Sequence, residues 1–209
     1  MSWNMNKAKK LRTFYIFPLM YVISVYLFPV CFFTKDDVPF LSYLMYAPLI
    51  FGILNIVMSV RCCKPEYHNI LLNSTVLVKY SMIPFFILGG IITVGCLLVS
   101  LIPVPFMIFF GPVMAFICCV IGWLILAFGA PYTISYLCLS RKLPNSTKFI
   151  TIIHAILQFF FMADVFDVMY LTLREKKWTK LTLTLLVMLA VVMITAFVSL
   201  EFIIIKHII

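Results

Sequence analysis

The chain has 209 residues, of which 65% are hydrophobic and 11% are charged. Soluble domains are about 45–50% apolar and about 25% charged, so this composition excludes a soluble enzyme, a secreted disulfide scaffold and a disordered chain. The net charge is +9, but the basic residues stand in short groups beside apolar segments. They indicate anionic lipid head groups as partners and not nucleic acid.

The predicted fold is all-α, an integral membrane bundle of six hydrophobic helices in one transmembrane domain over residues 13–209. The first span covers residues 13–33 and follows a basic segment, residues 1–12. Its apolar core is about 20 residues long and lacks a small-residue cleavage site, so we expect an uncleaved span and not a secretory signal. The second span covers residues 39–60.

Residues 70–103 form an apolar stretch that is too long for one upright span. A continuous helix of this length would measure about 50 Å, against a hydrocarbon core of about 30 Å. We therefore predict that residues 69–79, which end at Lys79, lie at the membrane interface. The third span then covers residues 80–102, and the fourth covers residues 112–139.

The last two apolar segments cover residues 149–172 and 181–205, with a basic group between them. Small residues in the third span favour either close helix approach or a local weak point in that helix. These residues are Gly89, Gly90 and Gly95.

The distribution of Lys and Arg predicts the orientation, because these residues favour cytoplasmic loops. It places the N-terminus in the cytoplasm. The residues that set this orientation are Lys7, Lys9, Lys10, Arg12, Arg61, Lys64, Arg141 and Lys142.

The fifth segment, residues 149–172, leaves two topologies open. If it spans the membrane, 11 of the 16 Lys and Arg residues lie inside and five lie outside. If it dips in and returns, the counts become 14 and two. The charge rule favours this re-entrant alternative, whereas 24 helical residues would cover about 36 Å and could cross. On length and apolarity we predict a crossing.

Four polar residues in the fifth segment form the candidate intramembrane site: His154, Gln158, Asp164 and Asp167. An Asp at the centre of a membrane helix costs about 2.5–3.5 kcal/mol on insertion scales, so these two need a cavity or a partner. One interpretation is an ion- or proton-coupled site. The other, which we favour, is a pair near the interface that Arg174 and Lys177 neutralise and that sets helix depth and packing.

No catalytic motif of a metalloprotease, serine hydrolase or phosphate-binding loop is present, and no cofactor is predicted. The spacing of Asp164 and Asp167 could bind a diphosphate through Mg²⁺, but such a site needs further carboxylates. His154 and Asp164 would lie about 15 Å apart on one helix, so we predict no metal site there.

Two stretches resemble small uncharacterised multi-pass membrane proteins of bacteria. They are residues 71–90 (LLNSTVLVKYSMIPFFILGG) and 157–178 (LQFFFMADVFDVMYLTLREKKW). The resemblance covers about a fifth of the chain and implies no activity. It favours a location in the plasma membrane.

The leading hypothesis for function is a small transport-type component or an accessory subunit of a membrane complex, with a membrane protein as its partner in the second case. The alternatives are a lipid-modifying enzyme that uses the Asp-x-x-Asp pair, and a structural or immunity-type protein. Enzymatic activity is the weaker hypothesis because no established catalytic motif supports it.

Overall fold

The computed structural model describes residues 2–34, 43–141 and 148–208. Their regular secondary structure is helical throughout, which confirms the all-α prediction. The elements are α1 (Ser2–Thr34), α2 (Ala47–Arg61), a 3-10 turn (Pro65–Tyr67), α3 (His68–Val99), α4 (Pro105–Gly129), α5 (Pro131–Ser140), α6 (Lys148–Leu157), α7 (Ala163–Arg174) and α8 (Thr179–Ile208).

The chain divides into two compact units, residues 1–168 and 169–209. In the second unit, the hydroxyls of Thr172 and Thr182 lie 3.0 Å apart and both residues are fully buried. The turn between them contains two residues with positive φ, Lys176 at 53° and Trp178 at 58°. This left-handed backbone, uncommon in residues other than Gly, ends α7 and begins α8.

Helix α1 is continuous, so the basic segment over residues 1–12 belongs to the same helix as the first predicted span. Two tyrosines hold α1 against its neighbours. Tyr21 donates a hydrogen bond of 2.6 Å to the carbonyl of Ile125 in α4, and Tyr26 donates one of 2.6 Å to the carbonyl of Ser81 in α3. Each bond gives a phenolic hydroxyl a partner inside an otherwise apolar contact.

Helix α3 corrects the division predicted within residues 70–103. Its 32 residues form one helix, about 48 Å long at 1.5 Å per residue. Residues 69–79 are therefore not a separate interfacial segment. The half of the helix before Pro84 is largely buried against α1, α4 and α5, and this packing supplies partners for its polar residues. The half after Pro84 exposes a series of apolar side chains.

The fourth predicted span also differs from the structure. Helix α4 begins at Pro105, seven residues before the predicted start. It ends at Gly129, and Ala130 separates it from α5. Pro131 occupies the first turn of α5, where its missing N–H leaves no hydrogen bond unmade.

The fifth segment is not one helix. Residues 149–172 form most of α6 and α7, which are separated by a turn at residues 158–162. Met162 in this turn has φ of 64°. Helices α6 and α7 have 10 and 12 residues, so they measure about 15 Å and about 18 Å.

Three helical segments in the described ranges are long and apolar enough to cross a membrane: Phe14–Cys31, Pro65–Val99 and Pro105–Ser140. Shorter apolar helices are Ala47–Arg61, Lys148–Leu157 and Thr179–Thr195. The predicted number of six spans thus stays a prediction.

Candidate functional site

A buried ion pair links α3 to α7. The ammonium group of Lys79 donates a hydrogen bond of 2.8 Å to Asp164 Oδ2. Their side chains are 2% and 0% exposed. In an environment of low dielectric constant such a pair is tolerated because each charge neutralises the other.

A second carboxylate, Asp167, lies one turn further along α7. Its Oδ1 is hydrogen-bonded to His154 Nδ1, and its Oδ2 accepts a bond of 2.6 Å from Gln158 Nε2. The side chain of Asp167 is 2% exposed and that of His154 is 14% exposed. All four predicted site residues therefore lie in one cluster with Lys79.

The turn at residues 158–162 brings these side chains together. On a continuous helix, 13 residues would separate His154 and Asp167 by about 20 Å. Their hydrogen bond therefore requires the chain to bend between α6 and α7 at this turn. The estimate of about 15 Å between His154 and Asp164 assumed one continuous helix, and the turn at residues 158–162 replaces that helix by two.

The cluster has one negative charge in excess when His154 is neutral. This formal count assigns one positive charge to Lys79 and one negative charge to each of Asp164 and Asp167. Two buried oxygens in it, Asp164 Oδ1 and Gln158 Oε1, accept no hydrogen bond from the described residues. Buried polar atoms without a partner are uncommon in native proteins.

Within the described ranges, no group of three or more His, Cys, Asp or Glu residues could hold a metal ion. The ammonium group of Lys79 also lies 2.8 Å from Asp164 Oδ2 and would repel a divalent cation at that carboxylate. This geometry is unfavourable for the Asp-x-x-Asp metal site that a lipid-modifying enzyme would need.

Sequence reasoning missed Lys79, which it assigned to the membrane interface. The available signal was a single Lys within an apolar stretch, in a chain with two acidic residues in another apolar segment. Charges in apolar segments commonly pair with one another, so these three residues could have been matched.

The orientation-setting residues for which the structure gives side chains lie on the surface. Arg61, Lys64 and Arg141 are all exposed. His68 Nε2 lies 3.1 Å from Ser140 Oγ, which brings the segment after α2 beside the end of α5. Lys142 and the side chains of Lys7, Lys9, Lys10 and Arg12 lie outside the described residues.

Residues 37–180 match a protein family described as "Family of unknown function (DUF6652)". The matched region is more than half of the chain and contains all five residues of the cluster. No curated protein and no solved structure matches the chain.

Proposed function

The chain belongs to this family of unknown function, and we propose that it is a multi-pass membrane protein of transport type whose buried cluster binds a coupling cation. We call Lys79, His154, Gln158, Asp164 and Asp167 the charged cluster. The observation that carries the proposal is its unbalanced charge, two buried carboxylates against one buried ammonium.

Burying the charged cluster in a membrane costs more free energy than a purely structural contact requires. A charge within a bilayer costs several kcal/mol unless it is paired, and ionisable groups inside membrane proteins commonly mark ion or proton pathways. One ion pair would suffice to join α3 to α7. The additional carboxylate and histidine are not needed for that contact, and they supply a site that can gain or lose positive charge.

The break between the short helices α6 and α7 supports the re-entrant alternative for residues 149–172. Each helix measures about half of a hydrocarbon core of about 30 Å, which suits a segment that enters the membrane and returns. Irregular backbone at membrane depth is tolerated where it is buried in protein or lines a cavity. The turn would then lie near the bilayer midplane, close to Gln158.

The basic residues support a cytoplasmic N-terminus in the plasma membrane. Because Lys79 is buried in the charged cluster, it no longer counts as a loop residue. The re-entrant topology then leaves 13 of the other 15 Lys and Arg residues inside, as the charge rule favours. Arg61, Lys64 and Arg141 would contact anionic head groups at that surface.

A flux experiment tests the transport role. The full chain is reconstituted in liposomes, gradients of H⁺, Na⁺ or K⁺ are imposed in turn, and their decay is followed with ion-sensitive dyes. We expect one gradient to collapse faster than in empty vesicles. Asp167→Asn should abolish the difference, because it removes the excess negative charge of the cluster.

Glu66→Gln is the matched control, since it also converts a carboxylate to an amide but lies exposed in the 3-10 turn. It should behave as the unmodified chain. If none of the three gradients decays faster than in empty vesicles, the transport proposal is wrong. Recovery of a stoichiometric membrane-protein partner in mild detergent would then favour the accessory-subunit hypothesis.

A further inference from the structure

We infer that a layer of uncharged polar side chains between α2, α3 and α5 binds water and forms the aqueous route from the cytoplasmic side to the charged cluster. We call Asn55, Ser74, Thr75 and Thr133 the polar layer. The inference rests on the proposed function for the orientation of the bundle and for the passage of an ion along this route. The binding of water is a separate property and can be measured without transport.

The polar layer holds four buried atoms that lack hydrogen-bond partners. Each of its four residues is 0% exposed. The atoms for which the described residues offer no partner are Asn55 Nδ2, Ser74 Oγ, Thr75 Oγ1 and Thr133 Oγ1. A buried amide or hydroxyl without a partner costs free energy, and ordered water is a common partner for such groups in native proteins.

The hydroxyls of the polar layer differ from other hydroxyls in the helices. Ser and Thr within a helix can donate a hydrogen bond to a carbonyl three or four residues earlier. Ser24, Ser59 and Thr93 do so, with bonds of 2.7, 2.9 and 2.8 Å. The three hydroxyls of the polar layer make no such bond. They can therefore bond a molecule that lies between the helices.

Contacts between α3 and the chain around α5 place the hydroxyls at one level. A Cβ atom on Gly129, just before α5, would lie 3.3 Å from the side chain of Val78. At the other end of α5, Ser140 Oγ lies 3.1 Å from His68 Nε2. The two chain segments therefore run antiparallel. Thr133, four residues after Gly129, falls at the level of the two hydroxyls that α3 contributes to the polar layer.

The polar layer lies between one end of the bundle and the charged cluster. Tyr132 in α5 donates a hydrogen bond of 3.0 Å to Asn55 Oδ1, which joins the α2 side of the layer to α5. Thr75 precedes Lys79 by one turn on the same side of α3, about 6 Å along the helix axis. In the other direction, α3 begins at His68, about 10 Å from Thr75. A route through the layer would therefore be short.

The chemistry of the polar layer suits water better than a bound ion. The layer has no charged side chain, and it offers three hydroxyls, which donate and accept, and one amide N–H, which only donates. A buried water molecule makes about three hydrogen bonds, whereas a hard cation such as Ca²⁺ requires about six to eight oxygen ligands. The layer would therefore hydrate an ion on its way to the charged cluster and would not hold it.

Thiol reactivity tests the route. All seven native cysteines are replaced in the full chain, Ser74→Cys or Thr133→Cys is introduced, and inside-out membrane vesicles are treated with Ag⁺. Thiols that remain are counted with a maleimide after denaturation. Because the reactive thiolate forms more readily in water than in apolar surroundings, both should react at least about tenfold faster than Val76→Cys and Val78→Cys. These valines are matched controls, since they flank Thr75 on α3 and are 5% and 1% exposed.

A second measurement uses the unmodified chain and does not depend on the folding of a variant. X-ray pulses generate hydroxyl radicals from water, and radicals formed inside the protein oxidise adjacent side chains, which mass spectrometry locates. Tyr132 and Tyr21 are both 0% exposed. Tyr132 bonds a member of the polar layer, whereas Tyr21 donates to the carbonyl of Ile125. We expect Tyr132 to be oxidised several-fold faster than Tyr21.

The inference is overturned if the cysteines at positions 74 and 133 react no faster than the valine controls, if they react only in right-side-out vesicles, or if the two tyrosines are oxidised alike. It fails separately from the proposed function. A chain that collapses an ion gradient while its polar layer is dry would keep the transport role and lose this route. A hydrated layer in a chain that moves no ion would keep the water site and lose the transport role.

Discussion

At the scale of single residues, the pair of Lys79 and Asp164 depends on the presence of both partners. The two side chains are almost fully buried and lie 2.8 Å apart, so the removal of either leaves the other charge without a partner. Breaking a buried pair in this way costs about 3–5 kcal/mol, whereas replacing both partners by apolar residues is often neutral. Replacing both partners can therefore test the ion pair separately from Asp167 and His154.

We predict that Lys79→Met lowers the stability of the protein by about 3–5 kcal/mol because it leaves Asp164 as an unpaired buried charge. The double variant Lys79→Met with Asp164→Leu should recover most of the loss. Unfolding in detergent, followed by the change in melting temperature, measures both. A double variant that is no more stable than Lys79→Met would contradict a role for the pair in neutralising charge.

The composition of the charged cluster could be predicted only in part. His154, Gln158, Asp164 and Asp167 stand close together in an apolar segment, and this local pattern identifies them. Lys79 lies 85 residues before its partner Asp164. The local pattern of α3 contains no acidic residue to pair with it, so the sequence points only to another apolar segment for the partner, and the structure identifies Asp164.

At the scale of helices, a glycine in α4 lies at a close helix contact, whereas three glycines in α3 do not. A Cβ atom on Gly111 in α4 would lie 2.4 Å from the carbonyl oxygen of Cys96 in α3, so the two backbones approach closely there. Among the residues whose side chains the structure describes, a Cβ atom on Gly89, Gly90 or Gly95 would meet nothing within 4 Å. The expectation of close approach at those three glycines is therefore wrong, because they lie on the exposed half of α3.

We predict that Gly111→Ala destabilises the protein by about 1–3 kcal/mol because the contacting atom belongs to the backbone and cannot rotate away. Gly95→Ala is the matched control and should be neutral or stabilising by up to about 1 kcal/mol, since Ala favours a helix over Gly. The melting temperatures of both variants in detergent give the comparison. Equal effects would contradict the close contact between α3 and α4 at Gly111.

The turn between α6 and α7 has no conventional sequence signal. Its residues, Gln-Phe-Phe-Phe-Met over positions 158–162, contain neither Gly nor Pro. The sequence therefore predicts one helix of 24 residues, because no residue that commonly ends a helix stands within the turn. The structure breaks it where Gln158 and His154 reach Asp167, so interactions between distant positions override the local preference.

At the scale of the whole molecule, the number of membrane crossings depends on whether residues 149–172 cross the membrane or re-enter it. Sequence periodicity cannot decide this, because a re-entrant hairpin and a crossing helix have the same apolar composition. Charge distribution does distinguish them, since a crossing places Arg174, Lys176, Lys177 and Lys180 outside and a hairpin places them inside. The location of Lys176 thus reports the topology.

We predict that residue 176 faces the cytoplasm. All seven native cysteines are replaced, single cysteines are introduced as Lys176→Cys, Arg141→Cys or Leu101→Cys, and intact cells are treated with a membrane-impermeant maleimide. Leu101 lies in the exposed turn between α3 and α4, which the topology places outside. Leu101→Cys should be labelled in intact cells, whereas Arg141→Cys and Lys176→Cys should react only after permeabilisation. Labelling of Lys176→Cys in intact cells would require residues 149–172 to cross the membrane and would overturn the re-entrant topology.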